Sequence, residues 1–362
     1  MATYGTRPGT GITDNLQQND PLFPNMPSDS ISCISVNGTG NTPSSILIAG
    51  SWDTTLTCWE LSYNGQQVSN IQHRGCIKHD GPVLCSDFMN DQQTTFSGGA
   101  DGTVRMWNVT QGPTGAQTIG KHDQPVRCVK WMPELNCVAS ASWDKSIRLW
   151  DCRQPNPAMT IQLNERVYAM DAAGKIVVAA TADNQIHCWA DVTQSSQKFE
   201  YKTPLSYQTR CLSIFADKAG FAIGSIEGRV AIEYFAELAV KNAHGAEKPT
   251  NLQSFVFKCH RDGQDIFAVN CIDFHPTNKF LTAGSDGTIV WWDKDARNRL
   301  AIRDRFKKEV SISAAKFSPN GASMFYAASY DWSKGADAAT SMPTNMILHH
   351  SVKPDDLTAK KK

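Results

Sequence analysis

Apolar and polar residues alternate in short runs along most of the chain, and residues 140–151, SASWDKSIRLWD, show the pattern most clearly. Small or apolar positions alternate with polar ones on both sides of Asp144 and Lys145. An alternation with a period of two is typical of strands that bury one face. Aspartate suits the interruption, because its short carboxylate accepts backbone hydrogen bonds in tight turns. The stretch therefore predicts a β-hairpin.

The same hairpin recurs with a fixed offset between a turn aspartate and a tryptophan six positions later. Five pairs share this offset: Asp53 and Trp59, Asp101 and Trp107, Asp144 and Trp150, Asp183 and Trp189, Asp286 and Trp292. Two divergent units place Glu227 and Asp331 at their turns. Consecutive turn residues lie 48, 43, 39, 44, 59 and 45 positions apart, a period typical of propeller blades. The chain thus resembles WD-repeat proteins, and we predict an all-β, seven-bladed β-propeller.

Blades 2 and 3 also carry a histidine and a serine at matching positions. His79 and His122 each lie 22 residues before the turn aspartate, and Ser97 and Ser140 lie four before it. Ser, His and Asp could form a catalytic triad, but catalysis needs one site and this set repeats. In the WD-repeat families that the chain resembles, these residues form buried hydrogen-bond chains that stiffen each blade. We expect such structural networks from His79, Ser97, Asp101, Trp107, His122, Ser140, Asp144 and Trp150.

Blades 4 and 5 lack this histidine, and blade 6 regains it. His260 lies 26 residues before Asp286 rather than 22, and the small insert RDGQ accounts for the difference.

One domain can use the whole chain, because blades repeat radially. We predict a flexible tail over residues 1–27, the propeller over 28–353 and a basic tail over 354–362. Part of residues 21–26 is predicted to pair as an edge strand that closes the ring. The polar stretch 239–254 is predicted to be a surface loop between blades 5 and 6.

Charge and composition exclude several classes of protein. Lys and Arg total 35, as do Asp and Glu, so no global field directs the chain to nucleic acid or membrane. No run of 18 apolar residues exists and no signal peptide is recognised, so we expect an intracellular protein without membrane insertion. The eleven cysteines contain no CxxC pair and are interpreted as small buried hydrophobes.

No enzymatic chemistry is indicated either. The glycine-rich words GSWD and GGADG precede hairpin turns rather than helices, so they are not phosphate-binding loops. The pairs Cys259-His260 and His349-His350 lack a third and fourth metal ligand at workable spacing. We therefore predict a non-enzymatic protein with no catalytic residue, no metal and no cofactor.

The largest local charge imbalance lies at residues 294–308, KDARNRLAIRDRFKK, with seven basic and two acidic residues. Surface charge runs of this kind are often only solvated blade edges. Beside exposed aromatic rings, such a strip would also suit single-stranded nucleic acid or an acidic peptide.

Several longer motifs make the resemblance more specific. The chain resembles the Rae/Gle family of nuclear-pore mRNA export propellers in GFAIGSIEGRVAIEY (220–234), FVFKCHR (255–261), VNCIDFHP (269–276), GSDGTIVWWDKDAR (284–297) and ASYDWSKG (328–335). IEGRVA and FKCHR are shared with the related Bub-type mitotic-checkpoint propeller. YDWSKG and WDKDAR fit the export family better.

The resemblance implies two binding surfaces. The family binds the Gle-binding sequence, a short acidic segment of a Phe-Gly nucleoporin, and the resemblance assigns Arg229 and Arg261 to its glutamates. It also implies a surface that binds RNA in a salt-sensitive, sequence-independent way. That surface comprises Phe257, Lys258, Trp292, Lys294, Arg297 and Arg299.

Three functions are compatible with the sequence, and the WDKDARNR strip together with YDWSKG favours the first of them. The first is a nuclear-pore adaptor for messenger RNA export, a monomer within a hetero-complex that binds a nucleoporin and single-stranded RNA or mRNP in the nucleus, at the nuclear envelope and in the cytoplasm. The second is a mitotic-checkpoint scaffold that binds a kinase peptide at kinetochores. The third, a substrate receptor in a ubiquitin ligase with ubiquitin binding, has no distinguishing motif.

Overall fold

The computed structural model describes residues 21–38, 44–194, 197–236, 253–303, 306, 310–332, 335 and 345–358. Seven antiparallel sheets follow one another along the chain, and the strands of each sheet are hydrogen-bonded in sequence order. This confirms the predicted all-β, seven-bladed propeller. Most of the predicted loop 239–254, residues 1–20 and residues 359–362 of the predicted tails lie outside the described residues.

The first three blades have four strands each. Blade 1 consists of β1 (Ile31–Val36), β2 (Ser44–Ser51), β3 (Thr55–Asn64) and β4 (Gln67–Lys78). Blade 2 consists of β5 (Val83–Phe88), β6 (Thr94–Gly99), β7 (Thr103–Asn108) and β8 (Ala116–Lys121), with 3-10 helices at Val109–Gln111 and Pro113–Gly115. Blade 3 consists of β9 (Val126–Met132), β10 (Cys137–Ser142), β11 (Ser146–Trp150) and β12 (Met159–Gln162).

The next two blades repeat this plan, and a small ribbon follows them. Blade 4 consists of β13 (Val167–Ala173), β14 (Ile176–Thr181), β15 (Gln185–Trp189) and β16 (Lys198–Lys202). Blade 5 consists of β17 (Thr209–Ile214), β18 (Gly220–Ser225), β19 (Arg229–Tyr234) and β20 (Phe255–Lys258). The two-stranded ribbon consists of β21 (Arg261–Asp262) and β22 (Asp265–Ile266), where the sequence has its insert.

The last two blades complete the ring. Blade 6 consists of β23 (Val269–Phe274), β24 (Lys279–Gly284), β25 (Ile289–Asp293) and β26 (Asn298–Arg303). Within the described part of blade 7 the strands are β27 (Ile312–Phe317), β28 (Ser323–Ala328) and β29 (Met346–Ser351). The first strand of every blade packs beside the first strand of the next, and β27 packs beside β1, which closes the circle.

The segment before blade 1 packs on the propeller without forming a strand, so the edge strand predicted within residues 21–26 is wrong. Phe23 is buried and meets Trp59 edge to face, with ring centroids 5.5 Å apart. The indole N–H of Trp59 donates to the carbonyl oxygen of Pro24 at 2.7 Å. Further along the segment, the backbone N–H and the hydroxyl of Ser28 donate to Asp53 Oδ2 at 2.7 and 3.1 Å. Side-chain packing and hydrogen bonds that involve side chains therefore hold the segment, and strand pairing does not.

The turns between the second and third strands explain why acidic residues recur there. Asp144 Oδ1 accepts the backbone N–H of Ser146 at 2.9 Å, and Asp53 Oδ1 accepts that of Thr55 at the same distance. The intervening residue is left-handed, with φ of 68° at Lys145. The carboxylate thus satisfies a backbone donor that the tight turn exposes.

Blade 3 contains a buried hydrogen-bond chain. The imidazole of His122 contacts Asp144 Oδ2 at 2.8 Å and Ser140 Oγ at 2.7 Å. The indole N–H of Trp150 donates to the same Ser140 hydroxyl at 2.7 Å. Burial opposes ionisation, but hydrogen bonds from His122 and Ser146 hold the pKa of Asp144 well below its usual range.

Blade 2 differs in one member. His79 Nε2 lies 2.8 Å from Ser97 Oγ, and Nδ1 lies 3.3 Å from Asp101. Trp107, expected in the same chain, donates instead to the carbonyl oxygen of Gly112 at 2.7 Å. Gly112 lies between the two 3-10 helices that follow β7.

Most of the cysteines are buried or partly buried, whereas Cys76 is exposed. All eleven are free thiols, and Cys58 and Cys137 are among the buried ones. Burial raises the pKa of Cys58 to about 12 and that of Cys137 to about 11. Such thiols stay neutral at physiological pH and pack as small hydrophobes.

Part of the region predicted as a basic C-terminal tail packs against blades 6 and 7. Residues Pro354–Leu357 form a 3-10 helix. Asp356 accepts a hydrogen bond from Arg303 Nη2 at 3.0 Å and lies 2.8 Å from His350 Nε2. These contacts anchor the chain where it leaves β29.

Candidate functional site

One end of the propeller carries the turns between the second and third strands of its blades, and we call it the turn face. Three tryptophans in or next to these turns are unusually exposed: Trp52 at 45%, Trp143 at 37% and Trp332 at 41%. All three line one cavity on this end. Exposed tryptophans grouped on one surface are typical of protein–protein contacts.

The turn of blade 5 lies on the same face and brings together the two arginines that the resemblance singled out. Arg229 begins β19, and its Nε lies 3.3 Å from the carboxylate of Glu227. Arg261 begins β21, and its Nη2 donates to the carbonyl oxygen of Glu227 at 2.7 Å. Glu227 therefore holds both guanidinium groups at one turn, although the two arginines are 32 positions apart.

Both arginines keep part of their surface accessible. The side chain of Arg229 is 38% exposed, and Arg261 is half-buried. Arg229 Nε is paired with Glu227 without a hydrogen bond, and Arg261 donates through Nε and Nη2. The other N–H groups of both guanidinium groups can meet an acidic ligand. Arginine presents five donors in a rigid fork, which suits paired contacts to carboxylates.

The six residues of the implied RNA surface divide into three environments. Phe257 and Trp292 pack together between blades 5 and 6, with ring centroids 4.6 Å apart. Arg299 pairs in register with Trp292 across β25 and β26, so it lies beside these rings. Arg297 is exposed and lies over the ring of Phe255 at 4.7 Å. We call this group of Phe255, Phe257, Trp292, Arg297 and Arg299 the blade 5–6 edge.

Lys258 points away from the blade 5–6 edge. Successive side chains of a strand alternate between faces, so Lys258 and Phe257 lie on opposite faces of β20. Lys258 pairs in register with Arg229 on β19. The structure therefore places this exposed lysine beside the arginine assigned to the acidic peptide.

Lys294 is not a surface residue, which corrects its place in the implied RNA surface. It is only 3% exposed, and its ammonium lies over the rings of Phe215 at 4.9 Å and Tyr234 at 5.6 Å. Nζ also lies 2.8 Å from Asp295 and 3.4 Å from Asp217. This cation joins blades 5 and 6 from within and cannot reach a phosphate.

Trp292 likewise has a structural bond that the sequence assignment did not include. Its indole N–H donates to Thr282 Oγ1 at 3.0 Å. The same hydroxyl lies 2.8 Å from His260 Nε2, and His260 Nδ1 lies 2.9 Å from Asp286 Oδ1. Blade 6 thus has the His, Asp and Trp chain of blade 3 with threonine in the place of serine, as the sequence position of His260 suggested.

The exposed tryptophans of the turn face were not predicted from the sequence. Trp52 and Trp143 directly precede their turn aspartates, and Trp332 directly follows its own. A tryptophan next to the acidic turn residue is the sequence feature that could have predicted this surface, because residues beside such a turn are exposed to solvent.

The described residues contain neither a candidate metal cluster nor a candidate membrane-spanning helix. No group of three or more His, Cys, Asp and Glu side chains among them could hold a metal ion. None of the helices in the described ranges has the length and apolarity needed to span a membrane.

Comparison with known proteins places these features in a family. The model of the WD domain, G-beta repeat, matches residues 24–60, 71–108, 115–151 and 251–293. Together with the seven blades, this defines a WD-repeat β-propeller.

Full-length relatives narrow the class further. Protein RAE1 of Arabidopsis thaliana is 43% identical over 338 residues, which cover 93% of this chain and 90% of that protein. The mRNA export factor GLE2 of Chaetomium thermophilum is 40% identical over 343 residues, 92% of this chain and 90% of the relative. The mRNA export factor of Xenopus tropicalis is 39% identical over 357 residues, 95% and 92% of the two chains. The chain belongs to the Rae/Gle family of WD-repeat mRNA export factors, as its sequence words indicated.

Proposed function

We propose that this chain is a non-enzymatic adaptor that supports messenger RNA export by binding the acidic Gle-binding segment of a nucleoporin. The names of the relatives support the export role. The convergence of Arg229 and Arg261 on Glu227 carries the peptide-binding part. Two cations fixed at one exposed turn are suited to neighbouring glutamates of a single segment.

The geometry favours binding because the arginines are held in place before the ligand arrives. Arg261 is fixed by the backbone of residues 227 and 228, and Arg229 by the Glu227 carboxylate. Less rotamer freedom is then lost on binding. Charge-assisted hydrogen bonds contribute about 1.5–3 kcal/mol each, so two of them could account for a large part of a micromolar affinity.

RNA binding is proposed for the blade 5–6 edge. Arg297 and Arg299 are exposed and lie beside partly buried aromatic rings. Arginines supply contacts to phosphates without reading sequence, and bases can stack on rings or guanidinium planes. Lys258 would extend the positive potential toward the peptide site, since it lies on the other face of β20.

Location and partners follow from this role. The adaptor would act as a monomer within a complex at the nuclear pore, in the nucleus and in the cytoplasm, with a nucleoporin and mRNP as its partners. A checkpoint kinase peptide with paired glutamates could use the same two arginines, whereas RNA binding would be peculiar to the export role.

Calorimetric titration of the full chain with a synthetic Gle-binding peptide tests the peptide site. We expect Arg229→Gln and Arg261→Gln each to weaken binding by about tenfold or more, in line with the loss of a charge-assisted hydrogen bond. The matched control is Arg74→Gln, which removes an arginine paired with Glu60 on the outer strand of blade 1. Equal affinity for all four proteins would overturn the proposed site.

A further inference from the structure

The mouth of the central channel on the turn face contains two arginines that no part of the proposed function uses. Arg127 comes from β9 and Arg210 from β17, the inner strands of blades 3 and 5. Both line a cavity of about 450 Å³. Arg127 and Arg210 also line the channel deeper inside, so both side chains lie along the axis of the propeller.

Among the residues that the structure describes, neither arginine forms a salt bridge, although Asp331 lines the same cavity. Within the described ranges, no hydrogen bond or ion pair is formed by either guanidinium group. Burial lowers the pKa of Arg210, Asp331 opposes this effect, and the like charge of Arg127 adds to it. Two half-buried cations that face one cavity without partners are unfavourable, and a bound anion would relieve both.

Neutral polar atoms without partners face the same cavity. The amide of Asn270 donates through Nδ2 to Ser311 Oγ at 2.8 Å and to the carbonyl oxygen of Ile312 at 3.0 Å. Its Oδ1 is buried without a hydrogen-bond partner, and so is the hydroxyl of Ser313. Both residues line the cavity. Buried polar atoms are normally satisfied, so this pair indicates a place for a ligand that carries donors and acceptors.

We propose that this channel mouth binds one anionic side chain, a carboxylate or a phosphate monoester, of a peptide that lies across the turn face. The inference rests on the proposed docking of an acidic peptide and adds a second anchor to it. Among the described residues that line the mouth, the charged side chains are Arg127, Arg210 and Asp331, so cations outnumber anions there. This excess of positive charge matches a single carboxylate or a singly charged phosphate group.

The surroundings favour a peptide over an RNA strand. Trp52, Trp143 and Trp332 surround the anion site and offer apolar surface to neighbouring side chains of a peptide. Asp331 would repel the second phosphate of a nucleic-acid strand that entered the same cavity.

A titration of the isolated full chain measures the site without any nucleoporin. The indole N–H signals of ¹⁵N-labelled protein are followed by NMR during additions of inorganic phosphate, N-acetyl-phosphoserine or N-acetylglutamate, at ionic strength held constant with sodium chloride. We expect saturable shifts of the Trp52, Trp143 or Trp332 signals with at least one of these anions. The comparison between the two amino-acid derivatives identifies which anionic group the mouth prefers.

Variants then assign the effect to the two arginines. The double change Arg127→Gln with Arg210→Gln is expected to weaken anion binding at least tenfold, whereas Arg74→Gln leaves it unchanged. Arg210→Lys keeps the charge and provides a milder variant if the double change does not fold. Arg229→Gln should weaken binding of the acidic peptide about tenfold without changing the phosphate titration, so a failure of the peptide site and a failure of the anion site can be distinguished.

Two results would overturn the inference. Absence of saturable shifts in the unmodified protein would show that the mouth holds no anion. Shifts produced by a 5′-phosphorylated RNA oligonucleotide but by none of the three small anions would show that the mouth serves RNA rather than a peptide.

Discussion

Arg261 Nη2 donates to the backbone carbonyl oxygen of Glu227 at 2.7 Å. This hydrogen bond joins the β21–β22 ribbon to the turn of blade 5 that precedes Arg229. The ribbon between blades 5 and 6 therefore contributes one of the two arginines of the candidate peptide site. Arg261 Nε also approaches the carbonyl oxygen of Gly228 at 3.4 Å. The position of this guanidinium group is therefore set by backbone atoms rather than by another side chain.

The first prediction concerns the shape of this cation. Arg261→Lys keeps the positive charge but loses the planar fork that reaches two carbonyl oxygens and a ligand at once. We expect the affinity for an acidic nucleoporin peptide to fall about as much as in Arg261→Gln, by roughly tenfold, with an unchanged melting temperature. Full retention of affinity in the lysine variant would show that charge alone matters at this position.

The second prediction concerns the segment that precedes blade 1. Phe23 is 7% exposed against Trp59, whereas its neighbour Leu22 is 74% exposed. We expect Phe23→Ala to lower the free energy of unfolding by about 3 kcal/mol, the usual cost of such a core truncation. Leu22→Ala, the matched control, should change it by less than about 0.5 kcal/mol. Similar denaturation midpoints for the two variants would mean that the segment does not contribute to the fold.

The third prediction concerns acid stability. Hydrogen bonds from His122 and Ser146, acting against burial, place the folded-state pKa of Asp144 below its unfolded value. The resulting stabilisation is complete above the unfolded value of about 4 and is lost as the pH falls toward the folded value. Asp144→Asn should therefore be less stable than the unmodified protein at pH 7, and the difference should shrink at pH 3.

Asp123→Asn is the control for this measurement, because the Asp123 side chain is 89% exposed and lies 3.6 Å from Arg148. We expect its melting temperature to follow that of the unmodified protein at both pH values. A stability gap for Asp144→Asn that stays constant from pH 7 to pH 3 would contradict the role given to the carboxylate.

The fourth prediction separates Lys294 from its basic neighbours. Lys294→Gln removes a buried cation from Phe215, Tyr234 and Asp217, so we expect the free energy of unfolding to fall by about 1–3 kcal/mol. Arg299→Gln changes an exposed residue and should leave stability within about 0.5 kcal/mol. Urea denaturation measures the free energy of unfolding of both variants. An unchanged value for Lys294→Gln would contradict a structural role for Lys294 and make it again a candidate for the RNA surface.

The sequence predicted the architecture because each blade repeats its own turn chemistry. Asp144 and its equivalents accept backbone N–H groups two residues ahead, so the fold leaves a local and periodic mark. Features that depend on contacts between residues far apart in the chain have no periodic pattern in the sequence. Phe23 packs on Trp59 where a strand was predicted. The indole N–H of Trp107 donates to the carbonyl oxygen of Gly112 instead of joining the hydrogen-bond chain of its blade.

The sequence predicted individual residues of the candidate sites but not how these residues are arranged in space. Resemblance singled out Arg229 and Arg261, but their meeting at Glu227 depends on the insert that forms β21. Lys294 looked like part of a basic strip, whereas its side chain enters the space between two blades. Charge along a sequence does not report the direction of a side chain, and the pair Arg127 and Arg210 on separate blades was invisible for the same reason.

We propose that an acidic peptide and RNA bind this chain at separate surfaces, and a single RNA titration can distinguish this arrangement from a peptide site alone. Single-stranded RNA is titrated into the full chain at several salt concentrations, with and without a saturating Gle-binding peptide, using the unmodified protein and the double variant Arg297→Glu with Arg299→Glu. If the two surfaces are separate, RNA binding weakens as salt increases and persists when the peptide is bound. The double variant loses RNA binding and keeps its affinity for the peptide. Tight peptide binding with no RNA binding in any condition would contradict this arrangement and favour a peptide-docking scaffold of the checkpoint type.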